Sequence, residues 1–234
     1  MSSAELESAA AARGPVGSGG DHPPGPPRDR GRGRGPGRRA GRRKTVVLEA
    51  ACRVIADRGA DATRFTDVAA ESGVPVSTLQ YYFGSREDLL VAAFRHASSA
   101  EIAALEAEVA AMDDPWDQLE RIISRSLSGY APDAPGGGRL WIESWHFGIR
   151  DADMRADALR DNTAWRRLVA DVVRRGIEAG TFSGRYDPDK VAVLAVAAAD
   201  GLGIPLSLGD PQITAPGAVQ DVLAAVRELL RPGG

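Results

Sequence analysis

The stretch FTDVAAESGVPVSTLQYYFGSREDLL, from Phe65 to Leu90, limits the fold more tightly than any other part of the chain. Two short amphipathic runs meet at Gly73-Val74-Pro75. Glycine enters left-handed backbone that other residues resist, and proline fixes φ at a helix start while offering no N–H. Val74, between them, is an apolar plug. The first run should turn Phe65, Val68, Ala69 and Ser72 inward, with Thr63 as its N-cap. The second should bury Leu79 and Phe83, four residues apart, and leave Val76, Ser77, Thr78, Gln80 and Tyr81 mostly on its other surfaces. Two such helices at a tight corner predict a helix-turn-helix, whose second member can enter a major groove.

The same periodicity surrounds this unit. Val47, Leu48, Ala51, Val54 and Ile55 recur at spacings of three and four and place a helix over Lys44 to Ala60, ended by Gly59. Ser85 caps a fourth helix whose first turn holds Glu87 and Asp88. Further helical segments are expected at 87–111, with a break near Ala97 to Ser99, and at 115–129, 138–150, 153–179, 188–205 and 215–231. Loops rich in glycine, proline and aspartate separate them. No strand pattern competes, so the chain is all-α: an N-terminal three-helix helix-turn-helix domain joined to a larger helical ligand-binding and dimerisation domain. The expected boundaries are 1–41 for a disordered basic arm, 42–88 for the helix-turn-helix and 89–234 for the regulatory part.

Charge is distributed unevenly. Residues 1–44 hold nine arginines and one lysine against four acids, a balance of +6, while the net charge of the chain is −3. Glycine, proline and arginine dominate residues 13–41, which lack anything to anchor a core. This arm fits either a solubilising extension or a phosphate-binding one, with Arg32, Arg34, Arg38, Arg39, Arg42, Arg43 and Lys44 nearest the folded part. The single cysteine, Cys52, allows no internal disulfide and sits in an apolar helical pattern as a small buried side chain. The longest apolar run, Val191 to Ala199, is too short to span a bilayer, and no secretory signal precedes it, so a cytoplasmic protein without a membrane partner is expected. An enzyme is not expected. His22, His96 and His146 have no cysteine or carboxylate pairing typical of a metal site, and the GRGRG repeat follows no strand. Nor is there a phosphate-binding GxxxxGK[ST] loop or a GxSxG elbow, and neither catalytic residues nor a cofactor is assigned.

The helix with Ala50 and Ala51, the Thr63 to Ala69 segment, Gly73-Val74, Thr78-Leu79, Tyr82-Phe83 and Ser85-Arg86-Glu87-x-Leu89 together resemble the TetR family of bacterial transcriptional regulators. The resemblance runs from about Lys44 through Phe94. It implies a homodimer on a palindromic double-stranded operator, one recognition helix per subunit, repressing until a small molecule binds the C-terminal domain. Carried over by position, Val76, Ser77, Thr78, Gln80, Tyr81 and Tyr82 would face DNA, with Thr66 at the front of the second helix and Arg86 placed for a phosphate. Pro75 stands where many members have a capping serine, and Gln80 where many have tyrosine. Trp141-Ile142-Glu143-Ser144-Trp145, Arg155-Ala156, Trp165-Arg166, Gly180-Thr181-Phe182 and Asp200-Gly201-Leu202 look like the subgroup that includes repressors of choline and betaine metabolism.

The DNA face has a chemistry of its own. A glutamine amide pairs bidentately with adenine, which makes Gln80 the candidate base reader. Ser77 and Thr78 can donate to phosphate or base edges, and Val76 can rest on a thymine methyl. Tyr81 and Tyr82 can hold the backbone through their hydroxyls, although either could pack between helices with Phe83. In the second domain Trp141 and Trp145 are one helical turn apart, with Phe147, His146 and Trp165 as further bulky groups. They fit core packing, or the wall of an apolar ligand cavity with polar contacts from Glu143, His146 or Arg150. Tryptophan faces also suit a quaternary ammonium ion. The small and apolar residues Ala192, Ala195, Val196 and Ala199, then Val219, Leu223, Val226 and Leu230, would build either a dimer interface or an internal core. A transcriptional activator of the same fold, or a helical protein-interaction adaptor, would share most of these features.

Overall fold

The apolar spacing around Val47 and Ile55 produces the first helix, but the helix is longer than its apolar stripe. In the computed structural model, which describes residues 36–130 and 137–231, α1 spans Pro36–Arg58. It therefore begins six residues before the expected domain edge at 42, and the rest of the proposed arm lies outside the described residues. Gly59 ends α1 at φ 83°, as its position implied. α2 spans Phe65–Ser72, and α3 spans Val76–Phe83. Between them Gly73 takes φ 67° and donates its N–H to Ala69 O at 3.0 Å, which closes α2 and turns the chain. Val74 is buried under the corner, and Pro75 is the N-cap of α3.

Thr63 does not cap α2. Its side chain is fully buried, and its hydroxyl donates back to Gly59 O at 2.8 Å. Arg64 holds the N-cap position instead, with its N–H donated to the Asp67 carboxylate at 3.0 Å. A threonine that closes the preceding turn cannot also reach forward to the first helical N–H groups. Ser85 does cap α4, Arg86–Ala110, accepting from the Asp88 N–H at 3.1 Å. α4 continues unbroken through Ala97 to Ser99, where a break was expected. Two serines among alanines weaken a helix only slightly, and packing on both sides outweighs that preference.

The remaining described helices are α5 (Pro115–Ser128), α6 (Gly137–Gly148), α7 (Ala152–Glu178), α8 (Pro188–Ser207) and α9 (Ala215–Leu230). Asp114, Asp151, Asp187 and Thr214 cap four of them, each accepting from a backbone N–H in the first turn. Among the described residues there is no strand.

Two cores form, and α4 belongs to both. Val47, Ile55, Val68, Leu79, Leu89 and Phe94 pack in the first, and Leu105, Ile122, Val172 and Val226 in the second. Met154 of α7 completes the first core, with Leu140 and Phe147 of α6 packed against it. The sequence boundary at residue 88 is thus not a boundary in the packing. An ion pair on a buried carboxylate adds to the join: Asp157 of α7, 1% exposed, accepts from the exposed Arg95 of α4 at 3.0 and 2.7 Å, and also from Arg160. Cys52 behaves as a small core group, its thiol facing Ala93 O at 3.3 Å and pushed up to about 11 by burial.

The small residues of the last two helices serve the internal core. Ala192, Ala195, Ala199, Leu223, Val226 and Leu230 are buried within this chain, with Val196 and Val219 packed against them. The apolar residues left outside are different ones: Val193, Leu194 and Ile204 of α8, and Leu208 at its C-cap, the last 81% exposed. With 20 residues and a mean hydropathy of 1.5, α8 is long and apolar enough to cross a membrane, which the shorter run Val191 to Ala199 did not suggest. Here one face of it is part of a helical domain.

Candidate functional site

The α3 helix sits on the first core through Leu79 and Phe83, so its other faces are free. Ser77, Gln80 and Tyr81 are exposed, Tyr81 to 86%. Val76 and Thr78 are half-buried, and Thr66 is exposed at the second position of α2. Tyr82 is half-buried and packs against the core, its ring edge-on to Phe83 at 6.2 Å between centroids. Of the two tyrosines, Tyr81 is the free one. Arg42, Arg43 and Lys44 are exposed on the first turns of α1, and the Lys44 ammonium lies 5.3 Å from the centre of the Phe83 ring. That contact brings the basic start of α1 beside the end of α3. Arg53 and Arg58 carry less free charge, being paired with Glu71 at 2.7 Å and Asp67 at 2.8 Å.

Arg86 does not have the geometry of a phosphate ligand. Its Nε donates to Thr63 O at 2.7 Å, one Nη to Ala60 O, and the other to Glu87 at 3.0 Å. The guanidinium staples the turn between α1 and α2 to the start of α4. A half-buried arginine near uncapped carbonyls finds them before it finds solvent.

The second candidate site is a partly open cavity of about 80 Å³ lined from α4 to α8. A single water needs only about 10–15 Å³, so this is room for a small organic group. Trp141 and Trp165, both expected as ligand contacts, line it, as do Phe94, Tyr130 and Val196. Three carboxylates join them: Glu101, Asp161 and Asp200. Glu101 is paired with Arg125, also in the wall, at 3.1 Å. Asp200 has no ion-pair partner among the described residues, and burial pushes its carboxyl up to about 6. Burial raises Asp161 as well, with Asp157 one turn away adding to the effect and the neighbouring Ser98 hydroxyl opposing it. Desolvation holds the Tyr130 phenol well above its usual range, so it stays a neutral donor. With Arg125 and Glu101 cancelling, the cavity carries negative charge among aromatic faces.

The aromatic helix therefore divides its residues. Trp145 is 5.6 Å from Trp141 between ring centres but faces an outer apolar groove with Ile149 and Leu159. His146 is exposed. Glu143 turns the other way, and its carboxylate accepts the Ala60 N–H at 2.9 Å. Glu143 and His146 lie off the stripe formed by Leu140, Trp141 and Ser144, whereas Trp145, about 40° around the helix from Trp141, sits one turn farther along it, against α7. Tyr130, Asp161 and Asp200 were missed. Spacing held a partial signal, since Asp161 precedes Trp165 by four and Asp200 follows Val196 by four, an acid on the inward stripe of an apolar helix. Tyr130 gave none: it reaches the cavity because Gly203 lets its ring come close, and a Cβ there would lie 2.7 Å from the ring.

Comparison with known proteins agrees with both halves. Residues 47–93 match the family model for bacterial regulatory proteins of the tetR family, and residues 115–231 match the model for the BetI-type transcriptional repressor C-terminal domain. The chain is 27% identical over 194 residues to the HTH-type transcriptional regulator BetI of Rhizobium meliloti, covering 82% of this chain and 91% of that one. With BetI of Burkholderia ambifaria the identity is 26% over 114 residues, 48% of this chain and 58% of the relative. A crystal structure of a transcriptional regulator from Saccharomonospora viridis in complex with choline superposes with a TM-score of 0.72 at 26% identity, covering 80% of this chain and 96% of that one. FadR of Bacillus subtilis in complex with stearoyl-CoA shares the fold, with a TM-score of 0.63 at 18% identity over 78% and 96% of the two chains.

Proposed function

Because the chain belongs to the TetR family of bacterial regulatory proteins, with a BetI-type C-terminal domain, we propose that it is a homodimeric repressor of a palindromic operator, released by a small organic cation of the choline kind. The observation that carries the effector reading is Asp200. A half-buried carboxylate with no ion-pair partner among the described residues, in one cavity with Trp141, Trp165 and Tyr130, suits a quaternary ammonium ion, which is attracted to aromatic faces and donates no hydrogen bond. The choline complex of the Saccharomonospora viridis regulator supports that class.

DNA is read by α3. Gln80 contacts a base edge, Ser77, Thr78 and Val76 lie against the groove wall, and Tyr81 reaches the backbone, with Tyr82 buttressing it from behind. Thr66 and the cations Arg42, Arg43 and Lys44 add phosphate contacts. Two copies pair through the outward apolar face of α8, at Val193, Leu194 and Ile204, and through Leu208 at its C-cap, which places two recognition helices at the spacing of successive major grooves, roughly 34–36 Å. Occupancy of the operator blocks polymerase without an activating surface. An effector that prefers a different spacing shifts the population away from the DNA-bound form in proportion to its differential affinity.

Selection of random double-stranded DNA by the purified full-length protein tests the reading. A recovered palindrome is the expected outcome. Salt-sensitive binding with no recovered motif would contradict specific dimeric recognition.

A further inference from the structure

The cavity and the DNA-reading unit share no residue, yet α6 touches both. Leu140, Trp141 and Ser144 line the cavity, and Glu143, on the flank of the same helix, holds the Ala60 N–H at 2.9 Å. Ala60 lies in the turn between α1 and α2. The carbonyl of the same residue accepts from Arg86, whose Nε also takes Thr63 O at 2.7 Å. One turn is thus gripped from two sides, by α6 at its N–H and by α4 at its carbonyl. The fit is close: a Cβ on Gly59 would meet the Glu143 carboxylate at 3.4 Å. Beneath the polar contact, Leu140 and Phe147 of α6 pack against the first core beside Met154.

We propose that Glu143 is the positioning residue that transmits occupancy of the cavity to the recognition helix. The inference rests on the cavity being the effector site. A molecule against Trp141 displaces α6. Apolar contacts tolerate sliding, but a carboxylate-to-amide hydrogen bond is directional, so the α1–α2 turn follows α6 and carries α2 and α3 with it. Arg86 resists that movement from α4, which leaves the turn a choice between two anchors. Without Glu143, α6 would move and α3 would not.

The test compares wild-type protein with Glu143→Ala and Glu143→Gln. The glutamine keeps an oxygen that can accept the Ala60 N–H. The probe is choline, followed by tryptophan emission for binding and by operator affinity for release. In Glu143→Ala, choline should bind as in wild type while its effect on operator affinity, about tenfold or more if typical of coupled sites, falls to less than about twofold. Glu143→Gln should retain most of the effect. Full release of Glu143→Ala by choline would overturn the proposal.

A second arm needs neither choline nor an operator, so it decides the matter even if the effector reading fails. Trp141→Ala should alter amide hydrogen exchange across residues 59–63 when Glu143 is present and leave it unaltered on top of Glu143→Ala. A Trp141→Ala effect of equal size in both backgrounds would refute transmission through this bond. If wild type ignores choline while the exchange effects are non-additive, the effector is wrong and the link stands.

Discussion

The proposed recognition helix and the proposed effector cavity are built in opposite ways. Every side chain that α3 leaves free comes from eight consecutive residues, held by Leu79 and Phe83 from below and turned out by Gly73 and Pro75. The cavity draws on five helices, and its wall runs from Phe94 to Asp200. A surface made by one helix depends on local periodicity. A cavity depends on how several helices pack, so substitutions far apart in sequence should act on it together.

Predictions that sharpen this contrast begin with the largest effect. Leu79→Ala removes the side chain on which α3 rests and should cost about 2–5 kcal/mol of stability. Thermal unfolding should show the loss, and operator binding should disappear with it. Choline binding is set elsewhere and should survive in whatever fraction remains folded. Gly203→Ala is the counterpart for the cavity. Its Cβ would stand 2.7 Å from the Tyr130 ring, so the ring must move, at about 1–3 kcal/mol. Choline titration should show weakened binding, while base preference on DNA stays as it was.

Gln80→Ala and Arg86→Ala separate reading from support. The first should relax preference at one base pair per half-site by about 1–3 kcal/mol and leave the melting temperature alone. The second removes the side-chain donor to Thr63 O and one of the two donors to Ala60 O, and should lower stability by about 1–3 kcal/mol, with base preference unchanged. The salt dependence of binding distinguishes the roles of Arg86. An unchanged slope is expected of the internal staple, and a slope reduced by about one unit would restore the phosphate contact inferred from sequence.

The smallest effect is on pH. The Asp200 carboxyl is raised by burial to about 6, so protons compete with a cation for it. Affinity for choline should fall as pH is lowered through 6, approaching about tenfold per unit below it. Glu101, Arg125, Asp161 and Tyr130 face the same space, and Asp200→Asn should flatten the profile across that range. For the ligand-free protein the sign reverses. Because the folded carboxyl is raised from 3.8, its contribution favours the fold at low pH and is lost as pH rises through about 6.

The same contrast explains what could be read from sequence. The helix-turn-helix was legible because each part is short-range: a glycine that must take positive φ, a proline at a helix start, and buried residues four apart. The later helices were legible too, to within a residue or two at most ends, through apolar periodicity and the glycine, proline and aspartate of the loops between them. Thr63 and Arg86 misled because each has a backbone partner across a turn, which spacing does not reveal. Trp145, His146 and Glu143 were grouped with Trp141 by nearness in sequence, while the direction each takes from α6 depends on α1, α4 and α7. Tyr130 and Asp200 meet only when α5 and α8 pack, and Gly203 permits that approach. Likewise the small residues of α8 announced close packing without saying whether the partner was α9 of the same chain or a second subunit.

The most direct measurement is a choline titration of the protein–operator complex, with operator occupancy and tryptophan emission followed in the same samples. The account expects the emission change and the release of DNA to saturate together, at a lower choline concentration for free protein than for the complex, since each ligand must weaken the other by the same factor. Choline that saturates the emission change while operator occupancy stays constant would contradict it.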